Sequence, residues 1–161
     1  MKPCQNILVP TDFSPGAEPA VEQALALRQT FGGALTLLHV YQLPVAYDGM
    51  CYEGDFIPKL KTAIDEQMKT TQRTVEHRAR ELGADLEFVV STLVLVGDPS
   101  RHIVDVASER NCDLIVIGTH GRTGFSSIFI GSVAERVVRT STCPVWTVRR
   151  TDGRPLDDGS P

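Results

Sequence analysis

The chain has 161 residues, a length typical of one domain, and a 42% hydrophobic share that is ordinary for a globular protein. Its formal net charge of −4, from 16 basic and 20 acidic side chains, gives no support to nucleic-acid binding, which favours a basic surface. No apolar run is long enough to span a membrane and no signal peptide precedes the first predicted strand, so we expect a cytoplasmic protein without a membrane partner.

Strands and helices alternate from the beginning of the sequence. The first strand is predicted at about Asn6–Pro10, and the next helix is expected to begin at Ser14 as its cap, with Pro15 in its first turn. Apolar residues then recur with helical spacing on one face, at Ala17, Ala20, Val21, Ala24, Leu25 and Phe31. A glycine pair ends this helix, and a second strand, apolar on both faces, follows at about Ala34–Val40.

The same alternation continues through the rest of the chain. Residues 41–57 are long for a connection and are typical of a flap over a site or of an interaction loop. The elements predicted after it are a helix at about Pro58–Leu82, a strand at about Asp85–Val94, a helix capped by Asp98, a strand at Leu114–Gly118, a helix over Val133–Val138 and a strand at about Val145–Arg149. Five strands and four helices indicate one α/β domain over residues 1–150, with an open, doubly wound parallel sheet. Residues 151–161 are predicted to be a disordered tail, because they contain almost nothing apolar.

A glycine-rich segment connects the fourth strand to the fourth helix. It begins at Gly118, includes Gly121 and Gly124, and ends at Gly131-Ser132. Glycines let the backbone approach an anion, and the first N–H groups of a helix have no intrahelical partner and attract negative charge. The spacing is glycine, two residues, glycine, nine residues and glycine-serine, which matches neither a P-loop nor the G-x-G-x-x-G dinucleotide fingerprint.

This spacing resembles that of the universal stress protein family. Residues 6–14 are similar to the family's first strand and its aspartate, and residues 34–40 to its second strand. Residues 96–99 and 143–148 are similar to other segments of the family, so the likeness covers roughly residues 3–150 in one register. The resemblance implies the strand order 3-2-1-4-5, in which strands one and four are neighbours. Ligands of open α/β sheets bind at such a switch point, beyond the carboxyl ends of the strands.

The resemblance also implies an adenine-nucleotide site at this switch point. The residues expected along the triphosphate are Gly118, Gly121, Gly131, Ser132 and the backbone N–H of Val133. Those expected at the ribose and adenine are Asp12, Pro10, Thr11 and Val40. The loop contributes further donors, namely His120, Arg122, Thr123, Ser126 and Ser127, of which the arginine can hold phosphate oxygens bidentately. We expect ATP, with AMP or ADP as alternatives, and Mg²⁺ held mainly by phosphates and water.

Several of these features also have a purely structural explanation. The glycines could simply build a strand-to-helix turn, and Asp12 could cap the helix that follows it, although Ser14 is the better placed cap. No metal site is expected, since His39, His77 and His102 have no clustered carboxylate or cysteine partners. The four cysteines lack zinc or redox spacing and are expected to be reduced thiols, of which Cys51 is the most exposed.

Three classes of function remain open from the sequence. The first is an ATP-binding stress-response protein that acts as a nucleotide-dependent switch with at most slow hydrolysis, because no nucleophile–base pair or carboxylate pair is evident. The alternatives are a small adenine-nucleotide-using enzyme and a ligand-free interaction scaffold. The resemblance implies a homodimer across the edge strand Val145 to Val148, the alternative being a monomer whose edge is shielded by the tail. Protein partners are unknown.

Overall fold

The computed structural model describes residues 4–42, 56–81, 90–119 and 130–149. The strands are β1 Asn6–Pro10, β2 Ala34–Tyr41, β3 Val90–Val96, β4 Leu114–Gly118 and β5 Val145–Val148. The helices are α1 Glu18–Phe31, α2 Phe56–Glu81, α3 Pro99–Glu109 and α4 Ser132–Thr140. Residues 43–55 of the predicted loop and the predicted tail, residues 151–161, lie outside the described residues.

The five strands form one parallel sheet in the order β3-β2-β1-β4-β5, which confirms the predicted topology. Strand β1 lies at the centre, and Ile7, Leu8 and Val9 are fully buried there. The winding of the chain reverses between β1 and β4, which pair directly, with Leu8 opposite Ile115. The carboxyl ends of these two strands therefore form the switch point.

Helices cover both faces of the sheet, as the sequence predicted. Successive strand residues point to opposite faces, so β1 contributes Ile7 and Val9 to one apolar cluster and Leu8 to the other. The first cluster includes residues of α1 and α2 and is called here the α1/α2 face. The second includes residues of α3 and α4 and is called the α3/α4 face. Each face is thus a separate hydrophobic core, with the sheet between them.

Helix α1 ends before Gly32 as predicted, but its beginning and the exposure of its last residue differ from the prediction. It begins at Glu18 rather than near Ser14, and its N-cap, Ala17, makes no side-chain hydrogen bond. The Ser14 hydroxyl donates instead to Asp12 at 2.5 Å, so Ser14 is not the cap, and Pro15 lies before the helix. Phe31 was predicted to face the core but is 46% exposed, because it is the last residue of the helix, where the chain turns away.

The remaining boundaries lie within two residues of the predictions wherever the structure describes them. Helix α2 begins at Phe56 instead of Pro58, since proline is tolerated in a first helical turn, where its missing N–H has no partner to lose. Strand β3 continues to Val96, and β5 ends at Val148. The predicted beginning of the third strand and the last residue of the second helix fall in residues 82–89, outside the described part of the chain. None of the described helices is both long and apolar enough to cross a membrane.

The described cysteines are free thiols, and Cys51 lies outside the described residues. Cys112 is buried in the α3/α4 face, and this burial raises the pKa of its thiol to about 11. Cys143 packs partly against the same cluster, and Cys4 against the other one. A raised pKa keeps a thiol protonated and unreactive, which is the behaviour expected of packing cysteines.

Asp98 caps α3 as the sequence predicted. Its Oδ1 accepts hydrogen bonds from the backbone N–H groups of Ser100 at 2.9 Å and Arg101 at 3.3 Å. The Ser100 hydroxyl, the Arg101 N–H and the ion pair with Arg136 lower the pKa of the Asp98 carboxyl, so the folded state favours its ionised form.

We expect Asp98→Ala to lower the free energy of unfolding by about 1 kcal/mol at neutral pH, because α3 loses its cap. A lowered folded-state pKa contributes stability above the unfolded pKa, and this contribution is lost as the pH falls through the folded value. The difference in the free energy of unfolding between wild type and variant should therefore become smaller below about pH 4. The measurement is urea unfolding at several pH values.

The matched control is Asp105→Ala, which removes a carboxylate from the exposed side of the same helix. Its effect should stay within about 0.5 kcal/mol, as is usual for an exposed ion pair. Two results would contradict this account of the cap. One is an equal loss of unfolding free energy in the two variants, and the other is a loss in Asp98→Ala that does not change with pH.

Candidate functional site

The candidate site lies at the carboxyl ends of β1 and β4. Pro10 ends β1, Thr11 is buried directly after it, and Asp12 is half-buried. Gly118 ends β4, with Thr119 buried after it. The two segments that were most distinctive in the sequence therefore meet at the same edge of the sheet.

A tight turn over residues 11–14 fixes the Asp12 carboxylate. The Phe13 N–H donates to the Thr11 hydroxyl at 3.1 Å. The N–H and the hydroxyl of Ser14 both donate to Asp12 Oδ1, at 3.0 and 2.5 Å. Side chains of this kind commonly bond the backbone two residues further on. Asp12 therefore stabilises its own turn and does not cap α1, which begins four residues after Ser14.

Gly118 occupies a position where a side chain has no room. A Cβ at this residue would lie 2.5 Å from the carbonyl oxygen of Gly16 and 3.3 Å from the Cα of Ala17. The end of β4 thus packs directly against the backbone of the turn that leads into α1. Glycine is required here because two backbones approach each other closely, and this approach joins the two halves of the site.

The two ends of the glycine-rich segment are held together at its base. The Gly131 N–H donates to the Thr119 carbonyl at 2.7 Å, and the Thr119 N–H donates to the Val148 carbonyl at 2.9 Å. Gly131 has φ −59 and ψ 147, which any residue can adopt. A Cβ there would lie 3.1 Å from the Thr119 oxygen, so the constraint at Gly131 is a close contact and not an unusual conformation.

Helix α4 presents its N-terminus to this edge. Ser132 is its first residue and is exposed, and its N-cap Gly131 makes no side-chain hydrogen bond. The first N–H groups of a helix have no intrahelical acceptor, and the helix dipole adds partial positive charge there. Val133 packs partly against the α3/α4 face, and so does Val40 of β2. The N-terminal turn of α4 and Val40 therefore lie on the same face of the sheet.

The structure brings most of the predicted residues to one edge. Those it places there are Pro10, Thr11, Asp12, Val40, Gly118, Gly131, Ser132 and Val133. Those outside the described residues are His120, Gly121, Arg122, Thr123, Gly124, Ser126 and Ser127. Within residues 4–42, 56–81, 90–119 and 130–149, no three His, Cys, Asp or Glu side chains cluster as metal ligands would.

The sequence reasoning missed one residue of this region, His39. It is 7% exposed, and its Nδ1 lies 2.7 Å from the Thr11 carbonyl oxygen. Its ring lies 4.4 Å from the ring of Phe13, measured between centroids. A single imidazole in a mostly apolar, doubly covered strand was the signal, because a buried polar group needs a partner.

We expect Gly118→Ala to lower the free energy of unfolding by about 1–3 kcal/mol, because the added methyl group overlaps backbone that cannot move as a side chain could. The matched change Gly131→Ala should cost at most about 1 kcal/mol, because its conformation is ordinary and the loss is limited to alanine being a poorer N-cap than glycine. Urea unfolding followed by circular dichroism compares the two. Equal stabilities would show that β4 and the turn before α1 are not packed as described.

Comparison with known proteins identifies the group to which the fold and the site belong. The model of the universal stress protein family matches residues 3–149. Universal stress protein MJ0577 of Methanocaldococcus jannaschii is 30% identical over 158 residues, covering 91% of this chain and 95% of the relative. Universal stress protein YxiE of Bacillus subtilis is 29% identical over 149 residues, covering 89% and 98%.

Solved structures give the same result. The structure of MJ0577 matches with a TM-score of 0.73 at 31% identity, covering 92% of this chain and 97% of the other. A universal stress protein from Archaeoglobus fulgidus in complex with dAMP matches with a TM-score of 0.57 at 26% identity, covering 90% and 98%. On the family match and these relatives, the chain belongs to the universal stress protein family.

Proposed function

We propose that this protein binds an adenine nucleotide at the switch point and acts as a nucleotide-dependent regulatory protein in a stress response. The observation that carries the proposal is the uncapped N-terminus of α4 beside a loop whose ends are held together. The Archaeoglobus fulgidus relative that binds dAMP supports the ligand class. The proposed ligand is ATP, with ADP and AMP as alternatives.

The phosphate groups are placed against the beginning of α4. The N–H groups of Ser132 and Val133 belong to the first helical turn, where anions are stabilised by unpaired donors and by the helix dipole. Gly131 leaves the space beside the Thr119 carbonyl open, since a Cβ would fill it. From the part of the loop outside the described residues, we propose Gly121, His120 and Arg122 as further phosphate ligands.

The nucleoside is placed between β1 and β2. Asp12 offers a carboxylate fixed by Ser14, which suits the hydroxyls of a ribose. Val40 offers an apolar surface on the same face as α4, which suits the flat adenine ring. Pro10 and Thr11 form the floor between them. The phosphates would thus contact the beginning of α4, and the nucleoside would contact the ends of β1 and β2, on the same side of the molecule.

Mg²⁺ would reach the site with the triphosphate. This cation usually keeps several waters and binds through phosphates and one or two carboxylates, so a nucleotide site does not need a protein cage for it. When bound, the ion would screen the charge of the phosphates. The chain's own contribution is to orient the phosphates through backbone N–H groups and to orient the sugar through Asp12.

We expect Ser132→Glu to weaken ATP–Mg²⁺ binding about tenfold or more, a change of about 1.4 kcal/mol, because a carboxylate at the α4 N-terminus competes with and repels phosphate. The fold should persist, since acidic residues are favourable in a first helical turn. Titration calorimetry with ATP–Mg²⁺ measures the loss, and adenosine, which has no phosphate, should bind both proteins equally.

Thr142→Glu is the control, because Thr142 is exposed just beyond the other end of α4. It adds the same charge away from the site and should leave ATP affinity unchanged. Equal ATP affinity in wild type and the Ser132→Glu variant would remove α4 from the site. A wild type that binds no nucleotide would favour the interaction scaffold, and sustained phosphate release during the titrations would favour an enzyme.

We further propose a homodimer built on the outer edge of β5. Its inner edge pairs with β4, where the Pro144 and Val148 carbonyls accept from Ile115 and Thr119. Alternate residues of a strand bond the same neighbour, so the N–H and C=O of Thr147 point to the outer edge. Trp146 is 43% exposed on this strand. An edge with outward-facing ladder groups and an exposed aromatic ring suits pairing with a second copy.

Thr147→Pro should convert the proposed dimer into a folded monomer. Proline removes only an N–H that points outward, so the pairing of β5 with β4 is retained. Thr147→Val keeps that N–H and should remain dimeric. Light scattering gives the mass, and circular dichroism confirms folding. A dimeric Thr147→Pro protein, or a monomeric wild type, would contradict assembly through this edge.

A further inference from the structure

His39 is a buried imidazole that the proposed nucleotide contacts do not use. It lies in β2 between Leu38 and Val40, which both face α3 and α4. Its own ring meets Phe13, which packs against the α1/α2 face. His39 therefore approaches the end of β1 from the opposite side of the sheet to α4 and Val40.

The imidazole holds both neighbours of Asp12. Its Nδ1 lies 2.7 Å from the Thr11 carbonyl oxygen, which can only accept, so Nδ1 carries the hydrogen and donates. Its ring lies 4.4 Å from that of Phe13, with 30° between the planes, and 6.3 Å from that of Tyr41, nearly parallel at 12°. One side chain thus fixes the residue before Asp12 by a hydrogen bond and the residue after it by ring contact.

Phe13 needs this support. Its φ is +61, in the left-handed region, which is costly for a bulky residue outside glycine positions. The turn that carries Asp12 is therefore not the relaxed conformation of its own backbone. Packing of the Phe13 ring on His39 offsets the cost, and the Thr11 hydrogen bond prevents the turn from rotating about the end of β1.

We propose that His39 is a positioning residue for ribose recognition: it holds Asp12 so that the carboxylate is aimed at the hydroxyls of a ribonucleotide. The proposal rests on the proposed function. A carboxylate accepts through two oxygens, so Asp12 can hold Ser14 through Oδ1 and also accept from a ligand. A fixed acceptor distinguishes a ligand that has the matching hydroxyl from one that lacks it, whereas a mobile acceptor does so poorly.

The test compares AMP with dAMP, which differ only in the 2′-hydroxyl, by titration calorimetry on full-length variants. His39→Leu removes the donor and keeps an apolar side chain, while His39→Asn keeps an N–H donor near the position of Nδ1. Wild type should prefer AMP at least several-fold. His39→Leu should lose most of that preference, as should Asp12→Ala, and His39→Asn should retain more of it.

Inorganic tripolyphosphate, which reports only the phosphate part, should bind wild type and His39→Leu with the same affinity. An unchanged AMP to dAMP ratio in His39→Leu would overturn the proposal, as would a parallel loss for all three ligands, which indicates general loosening. A wild type that does not discriminate AMP from dAMP would overturn it while leaving nucleotide binding intact. A wild type that binds neither nucleotide would overturn the proposed function, and this inference with it.

If His39→Leu does not fold, nitrogen NMR of the wild-type imidazole gives the answer. The Nδ1–H resonance of His39 should shift when AMP is added, because a hydroxyl bound to Asp12 perturbs the Thr11 carbonyl through the fixed turn. It should shift less with dAMP and not with tripolyphosphate. Equal shifts with AMP and dAMP, or no shift with AMP, would overturn the proposal.

Discussion

The absence of a side chain at Gly118 is the constraint on which this edge of the molecule depends. The Gly16 carbonyl oxygen lies only 2.5 Å from the position that a Cβ on Gly118 would occupy, which is too close for any side chain. Because backbone meets backbone there, the end of β4 and the turn before α1 cannot move independently. That contact sets the distance between the Asp12 turn and the start of the glycine-rich segment. The proposed sugar and phosphate contacts would therefore be fixed relative to each other by this one backbone contact.

Thr119, the residue after Gly118, connects this contact to α4 and to the outer strand β5. Its carbonyl accepts from the Gly131 N–H at the base of α4, and its N–H donates to the Val148 carbonyl in β5. The N-terminus of α4 is thus linked to the edge strand β5 by hydrogen bonds through one residue, Thr119. If the proposed nucleotide and a partner on β5 are coupled, these two hydrogen bonds offer a connection, and coupling through them would require two alternative arrangements of the pair.

The sequence predicted most accurately the elements whose boundaries depend only on burial of apolar residues. Strand β4 was placed residue by residue, because a short apolar run covered on both faces leaves little choice of boundary. The predicted beginning of α1 was wrong because the Ser14 side chain had two possible partners. Only the folded turn shows that its hydroxyl bonds Asp12 and not an N–H of the helix. Asp12 and Gly131 lie at the predicted end of the strands, whereas His39 was considered only as a metal ligand and was rejected as one. Its partner, a carbonyl from another strand, cannot be read from local spacing.

The two hydrophobic faces of the sheet would contribute to the proposed site in different ways. The α3/α4 face supplies Val40 and the uncapped helix N-terminus, which would contact the ligand directly. The α1/α2 face supplies Phe13, whose ring meets His39, and both would act on the ligand only through the backbone on either side of Asp12. A single strand, β2, contributes to both faces, since its alternate residues point to opposite sides of the sheet. If both proposals hold, substitutions at His39 or Phe13 would change ligand preference by loosening or tightening the Asp12 turn, while the phosphate contacts stay unchanged.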